Sequence, residues 1–189
     1  MNETRTIFLV GKPGSGKGTQ AKILSEATGW KTFAASDELR AFAAKDTPVG
    51  NKVKSEMEAG LLVPHWLVQH LFLEAIFSIR ENESVIFDGF SRKVPEAEFI
   101  IDALRWMGRP FTLLNLAVSD EEVRHRLDLR KGIEGRVDDS AIEERLKEYR
   151  ANTDLAIEKF RESGNLIEIN GEQSREAIAA DIKTALGIS

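Results

Sequence analysis

Five short apolar runs divide this chain: Thr6 to Val10, Lys31 to Ala35, Ser84 to Phe87, Phe111 to Val118 and Leu166 to Ile169. Their β character predicts strands, and the stretches between them predict helices. Strands separated by helices favour a parallel sheet with helices on both faces, an α/β fold. The helix ends carry their own marks. Ser119 with Glu122 and Ser140 with Glu143 have capping-box spacing, Pro64 suits a first helical turn, and Gly29, Gly60, Gly108 and Gly164 stand where helices should stop. Phe33, Phe42, Trp66, Phe72, Phe77 and Trp106 are expected in the core.

Two places break the alternation. Residues 36–83 are too many for one crossover helix and contain turn signals at Thr47-Pro48 and Gly60. They predict three helices, Ser36 to Ala44, Val49 to Ala59 and Pro64 to Ile79, the first two forming a small flap. The second break is KGIEGRVDD, residues 131–139, a charged loop between two helices that suits a short lid. One domain is therefore expected, with a core of 1–35, 63–130 and 140–189, a flap at 36–62 and a lid at 131–139.

A chain of 189 residues can bury one substantial core. The absence of cysteine excludes a disulfide scaffold and cysteine-based zinc sites, and it fits a reducing compartment. The apolar run before the first glycine loop is too short for a signal peptide or a membrane span, so a soluble cytoplasmic protein is expected. A net charge of -5 argues against sequence-independent binding to nucleic acid, so any anion site must be local. Asp120-Glu121-Glu122 and Glu143-Glu144 read as solvated helix faces.

The local anion site is offered by GKPGSGKGTQ, Gly11 to Gln20, which follows the first strand and opens a helix from Lys17 to Ala27. A glycine-rich turn feeding a helix gathers backbone N–H groups around one point, and Lys17 can bridge outer phosphates. The loop nearly matches G-x-x-x-x-G-K-[ST], but Gly18 occupies the hydroxyl slot and Thr19 follows one place late.

That variant resembles the adenylate kinase form, G-x-P-G-x-G-K-G-T-Q. The resemblance extends in family order along nearly the whole chain. Ser36 to Arg40 is similar to T-G-D-x-L-R, Gly60 to Pro64 to G-x-L-V-P, Asp88 to Arg92 to D-G-F-P-R, Gly135 to Asp139 to G-R-x-D-D, and Arg145 to Tyr149 to R-L-x-x-Y. It implies a P-loop three-layer fold with a central parallel five-stranded sheet, a helical flap for a nucleoside monophosphate (NMP) and a short lid. The implied ATP site comprises Gly14, Ser15, Gly16, Lys17, Gly18, Thr19, Arg126, Arg130 and Gln173. The implied acceptor site comprises Ala35, Arg40, Leu61, Leu62, Val63, Gly89, Phe90, Ser91, Arg92, Glu96, Arg136 and Arg145, and transfer falls to Lys17, Arg92, Arg130, Arg136 and Arg145. Arg126 is implied to stack on the ATP base. Arginines suit such a site because their planar forks pair with phosphate oxygens. Asp88, at the end of the third strand, is implied to hold Mg2+ through water, which makes a hydroxyl ligand dispensable. No zinc is implied, and a monomer is.

The departures cluster at the acceptor's base. Ala35 and Ser36 replace threonine and glycine, and Glu96 replaces the glutamine that reads adenine. Ionised glutamate accepts hydrogen bonds and donates none. Glu96 either faces the base or points to solvent at a helix start, where the helix dipole favours it. Leu61, His65 and Ser91 also depart, His65 as an exposed residue, and the interval from Asp139 to Arg145 is two residues short.

The expected activity is phosphoryl transfer from Mg-ATP to AMP (ATP + AMP = 2 ADP). The first rival is the same reaction on CMP, UMP or GMP, motivated by Ala35 and Glu96. The others are a P-loop kinase acting on a small-molecule hydroxyl with Asp37 as base, and a nucleotide-binding regulatory module without turnover.

Overall fold

A computed structural model describes residues 5–130 and 142–188. The first apolar run forms strand β1 (Thr6–Gly11), every residue of which is buried. It is flanked by β3 (Val85–Asp88) and β4 (Phe111–Ala117), with β2 (Lys31–Ala34) and β5 (Leu166–Asn170) outside them, in the order β2-β3-β1-β4-β5. All pairings are parallel, with Leu9 beside Asp88 and Gly11 beside Leu116. The five-stranded parallel sheet anticipated from the sequence is present, with strand ends shifted by a residue.

Alternate residues of the central strands feed two separate cores, because successive side chains on a strand face opposite ways. Phe8, Val10, Phe87 and Leu113 join the cluster that includes α4 (His65–Phe77), α5 (Val94–Trp106) and α8 (Asp154–Glu162). Ile7, Leu9, Ile86 and Leu114 join the one that includes α1 (Lys17–Thr28) and α9 (Arg175–Leu186). Three layers result. Phe8 stacks on Phe87 with ring centroids 5.1 Å apart, and Phe72 of α4 packs against both.

Between β2 and α4 lie α2 (Ala35–Ala43) and α3 (Pro48–Glu58), which pack on each other. Thr47 caps α3 by accepting a hydrogen bond from the Gly50 N–H at 3.0 Å, with Pro48 in the first turn. Each predicted stop glycine, 29, 60, 108 and 164, adopts a left-handed conformation at the end of a helix. The described chain continues through α6 (Asp120–Arg130), then α7 (Ile142–Glu148) and a π-helical turn, Tyr149–Thr153, that leads into α8. Residues 131–139, the expected lid, and Ser140 lie outside the described residues.

Three expectations are corrected. Trp66, Phe77 and Trp106 are 56%, 71% and 86% exposed, not core residues. The buried stripe of α4 is Leu67, Val68, Leu71, Phe72, Ala75 and Ile76, which leaves 66 and 77 on the wrong side of the helix, and Trp106 is the last residue of α5. Phe72 is fully buried, while Phe33 and Phe42 pack partly buried against the same cluster. At α6, the Glu122 N–H donates to Ser119 Oγ at 3.3 Å, but the Glu122 carboxylate turns to Arg126 at 2.6 Å. The Ser119 N–H donates instead to Glu172, so the capping box is half made because an arginine is the stronger partner.

Removing a ring from the stacked core should leave a cavity. Phe72→Ala is expected to lower unfolding free energy by about 3–5 kcal/mol in chemical denaturation, while Trp106→Ala changes it by about 0.5 kcal/mol or less.

Candidate active site

At the end of β1 the chain turns through residues 12–16 and enters α1 at Lys17. Gly11 makes this turn possible: its φ is 149°, and a Cβ there would lie 2.8 Å from the Leu116 carbonyl oxygen and from Ser15 Oγ. The Ser15 hydroxyl is buried and has no hydrogen-bond partner among the described residues. The Lys17 ammonium folds back into the loop and donates to the carbonyls of Gly11 at 2.9 Å and Lys12 at 3.0 Å. Burial and the nearby cations Arg92 and Arg145 lower its pKa to about 7, with Asp88 opposing the shift. The strand end, the helix N-terminus and an enclosed cation thus converge on one point, and an arriving polyanion would relieve the charge.

The parallel register sets Asp88 beside this loop. A Cβ on Gly18 would lie 3.3 Å from Asp88 Oδ2, closer than ordinary contact. A side chain in the slot after Lys17 would push the carboxylate back by a few tenths of an ångström, a shift that Gly18 does not ask. Thr19 is exposed in the first turn of α1.

Arg92 is held from three sides. Its Nε donates to the Gly89 carbonyl at 2.9 Å, its backbone N–H to Glu96 Oε2 at 2.7 Å, and its carbonyl accepts from Thr153 Oγ1 at 3.2 Å. Gly89 has φ 73°, which favours glycine, and a Cβ there would meet the guanidinium at 2.5 Å, so any other residue would be strained and would displace the arginine's end. Ser91, fully buried between them, has φ 63°, the one positive value for a non-glycine among the described residues, and its hydroxyl has no partner. Phe90 fixes the segment by packing edge-on against Phe87.

One cavity joins these groups. Gly11, Lys17, Gly89, Arg92 and Arg145 are among the residues that line it. So are the apolar Ala35, Leu39, Met57, Leu61, Val63 and Val68, with Leu62, Ser36 and Glu96. Glu96 is 1% exposed, so the solvent-facing alternative is overturned: its carboxylate reaches back to cap α5, also accepting from the Lys93 N–H at 3.4 Å. Burial raises its pKa against those two N–H groups.

Other expected residues stand further off. Arg126 sits at the loop's flank, donating to the carbonyls of Ser15 at 3.3 Å and Gly171 at 2.7 Å. Gly14 and Gly16 complete the turn with positive φ. Gln173 is spent on Asp181 at 2.6 Å and on the Asn170 carbonyl. Arg40 pairs with Asp37 and Ser36 of its own helix and is not among the residues lining the cavity. The side chain of Arg130 and all of Arg136 lie outside the described residues.

Several contributors escaped the sequence reading. Lys12 pairs with Asp120 at 2.6 Å, and Arg150 pairs with the same carboxylate, so the phosphate-type loop is tied to α6 and the π-helical turn. The acidic start of α6 is thus a bracket, not merely a solvated face; Glu143 likewise holds Arg124 at 2.7 Å. Lys93 donates to the carbonyls of Leu62 and Val63, anchoring the end of the 36–62 segment. No local signal marks these pairs, because their partners are distant in sequence.

A parallel sheet ending in a glycine loop, with an enclosed lysine, converging arginines and one facing carboxylate, has the form of a P-loop phosphotransferase. The adenylate kinase family model matches residues 9–165. The chain is 39% identical to adenylate kinase 1 of Nostoc sp., over 97% of this chain and 99% of that protein. It is 35% identical to the adenylate kinase of Thermus thermophilus over the full length of both, and 35% identical to that of Phocaeicola vulgatus over 95% and 97%. The chain belongs to the adenylate kinase family and is a phosphotransferase.

Two outcomes follow from this geometry. Between pH 7 and 10.5 the unfolded state keeps a proton on Lys17 that the folded state has lost, so stability rises with pH across that window. Relative to Lys17→Met, the wild type should gain at most about 1.4 kcal/mol per pH unit there in pH-dependent urea unfolding. Ser91→Gly should raise stability by about 1 kcal/mol by removing left-handed strain, whereas Ser91→Pro, locked at negative φ, should lower it by more.

Proposed function

We propose that this protein transfers the terminal phosphoryl group of ATP to AMP, giving two molecules of ADP. The observation that carries the reading is one cavity lined both by the cations Lys17, Arg92 and Arg145 and by the apolar Ala35, Leu39, Met57, Leu61, Val63 and Val68. A triphosphate fits the glycine loop, and a monophosphate fits with its phosphate toward Arg92 and its base toward Ala35, Leu61 and Val63.

The chemistry asks little of the protein beyond position and charge. The acceptor phosphate is largely ionised at pH 7, so no side chain needs to take a proton from it. Two anions must be brought into line, and Lys17, Arg92, Arg145, Arg130 and Arg136 supply the cations that offset their repulsion and the charge of the transition state. Gly14, Ser15, Gly16, Gly18 and Thr19 form the cradle for the donor's phosphates, with Arg126 and Gln173 beyond it. Arg40 joins the acceptor phosphate after releasing Asp37, as α2 and α3 close over the site.

Mg2+, bound with the ATP phosphates, supplies further charge neutralisation. Asp88 fits it: a carboxylate lodged beside the loop and against the glycine that replaces a hydroxyl ligand. Magnesium keeps several waters, so one carboxylate suffices to orient its shell. The flap at 36–62 and the lid at 131–139 exclude water, which would otherwise hydrolyse ATP. No helix among the described residues is long and apolar enough to cross a membrane. A cytoplasmic monomer with no nucleic-acid or membrane partner fits the acidic charge and the absence of cysteine.

Purified protein supplied with ATP, Mg2+ and AMP should form ADP in a coupled assay; failure to phosphorylate any of AMP, CMP, UMP, GMP or their deoxy forms would refute the reading. Arg92→Ala should lower kcat/KM for AMP by about 100-fold or more. Asp88→Ala should cost much more of the Mg2+-dependent rate than Thr19→Ala, and the opposite order would make the hydroxyl the metal ligand.

A further inference from the structure

The π-helical turn between α7 and α8 ends on Thr153, which is 2% exposed and is among the residues lining the cavity. A threonine within a helix commonly bonds its hydroxyl to a carbonyl three or four places back. Thr153 instead reaches out of its helix: Oγ1 donates at 3.2 Å to the carbonyl of Arg92, 61 residues away in sequence. A π-helical turn holds one residue more than an α-helical turn, so it rotates the side chains that follow it relative to those before, and such turns recur at functional sites.

The two ends of this hydrogen bond differ in how they are held. The turn is fixed to its surroundings. The Tyr149 hydroxyl donates to Asn115 Oδ1 of β4 at 3.4 Å, Arg150 pairs with Asp120 of α6, and Phe160 of α8 packs against Phe8 and Phe111 in the core. Arg92 belongs to no strand or helix; it follows Ser91, with its φ of 63°, and precedes α5. No backbone N–H among the described residues donates to the Arg92 carbonyl. Strained backbone persists where surrounding contacts over-determine it. Two contacts do so at Arg92: Glu96 Oε2 accepts from its N–H at 2.7 Å, and Thr153 holds its carbonyl.

Arg145 stands on α7, which runs directly into the turn, and it lines the same cavity as Arg92. One hydrogen bond therefore joins the helical run that carries one cation to the irregular segment that carries the other. We propose that Thr153 is a positioning residue for the acceptor's phosphate, its hydroxyl fixing the backbone from which Arg92 extends and so the placement of Arg92 relative to Arg145. This deepens the acceptor reading and rests on it. Without the hydroxyl the Arg92 carbonyl loses its partner, and the peptide can turn away from the strained residue before it, taking the guanidinium along.

The test is steady-state kinetics of Thr153→Val, which keeps the shape of the side chain and removes its donor. The KM for AMP is expected to rise about fivefold, the scale of one lost hydrogen bond, while the KM for ATP stays within about twofold of wild type. Thr153→Ser, which keeps the hydroxyl, should restore the KM for AMP to within about twofold. An Arg92→Ala background tests the route: with no guanidinium left to misplace, adding Thr153→Val should change kcat/KM for AMP by less than about twofold. The inference is overturned if Thr153→Val leaves the KM for AMP unchanged, if it raises both KM values alike, if Thr153→Ser is equally impaired, or if the full loss recurs in the Arg92→Ala background. Should Thr153→Val fail to fold, Thr153→Ala is judged by the same outcomes. Absence of turnover of any monophosphate by wild type would instead refute the functional reading above.

Discussion

An ammonium group is enclosed by the glycine loop at the end of β1, and much of the surrounding architecture answers to it. Lys17 donates to two carbonyls of its own loop while Arg92 and Arg145 press on it electrostatically. Among the groups acting on it, Asp88 is the one that favours its charge. Cations held so close, in a partly desolvated crevice, repel one another until an anion arrives. A polyanion bound at this point would offset that repulsion.

The position of the balancing carboxylate follows from backbone register. Pairing of Leu9 with Asp88 brings the end of β3 alongside the loop, and the missing Cβ of Gly18 leaves room for the carboxylate. The loop is also braced from outside, by Lys12 and Arg150 on Asp120 and by Arg126 across Ser15 and Gly171. These contacts hold the loop's shape without using the groups that face the cavity.

The segment from Gly89 to Glu96 carries a similar double duty. Gly89 has no side chain, so Arg92 can lie over it; Ser91 accepts a strained backbone; Glu96 caps the helix that follows. Backbone strain of this kind persists where surrounding contacts over-determine it, as at functional sites. Glu96 therefore holds the start of α5 while standing among the residues that line the cavity.

Much of this was legible in the chain itself. The five strands, the stop glycines and the loop Gly11 to Gln20 are local signals, and local spacing fixes them. The convergence of Lys17, Arg92 and Arg145 was legible only through motif order, since no spacing rule relates residues so far apart. Trp66, Phe77 and Trp106 were misread because hydrophobic character does not give the phase of a helix against its neighbours; packing does. Glu96 was undecided between base and solvent because its burial depends on Lys93 drawing the 62–63 carbonyls over the start of α5, a contact across 30 residues. The sequence determined which groups the site owns. Tertiary structure alone decided which face one another, because register, burial and competing partners arise only when distant segments meet.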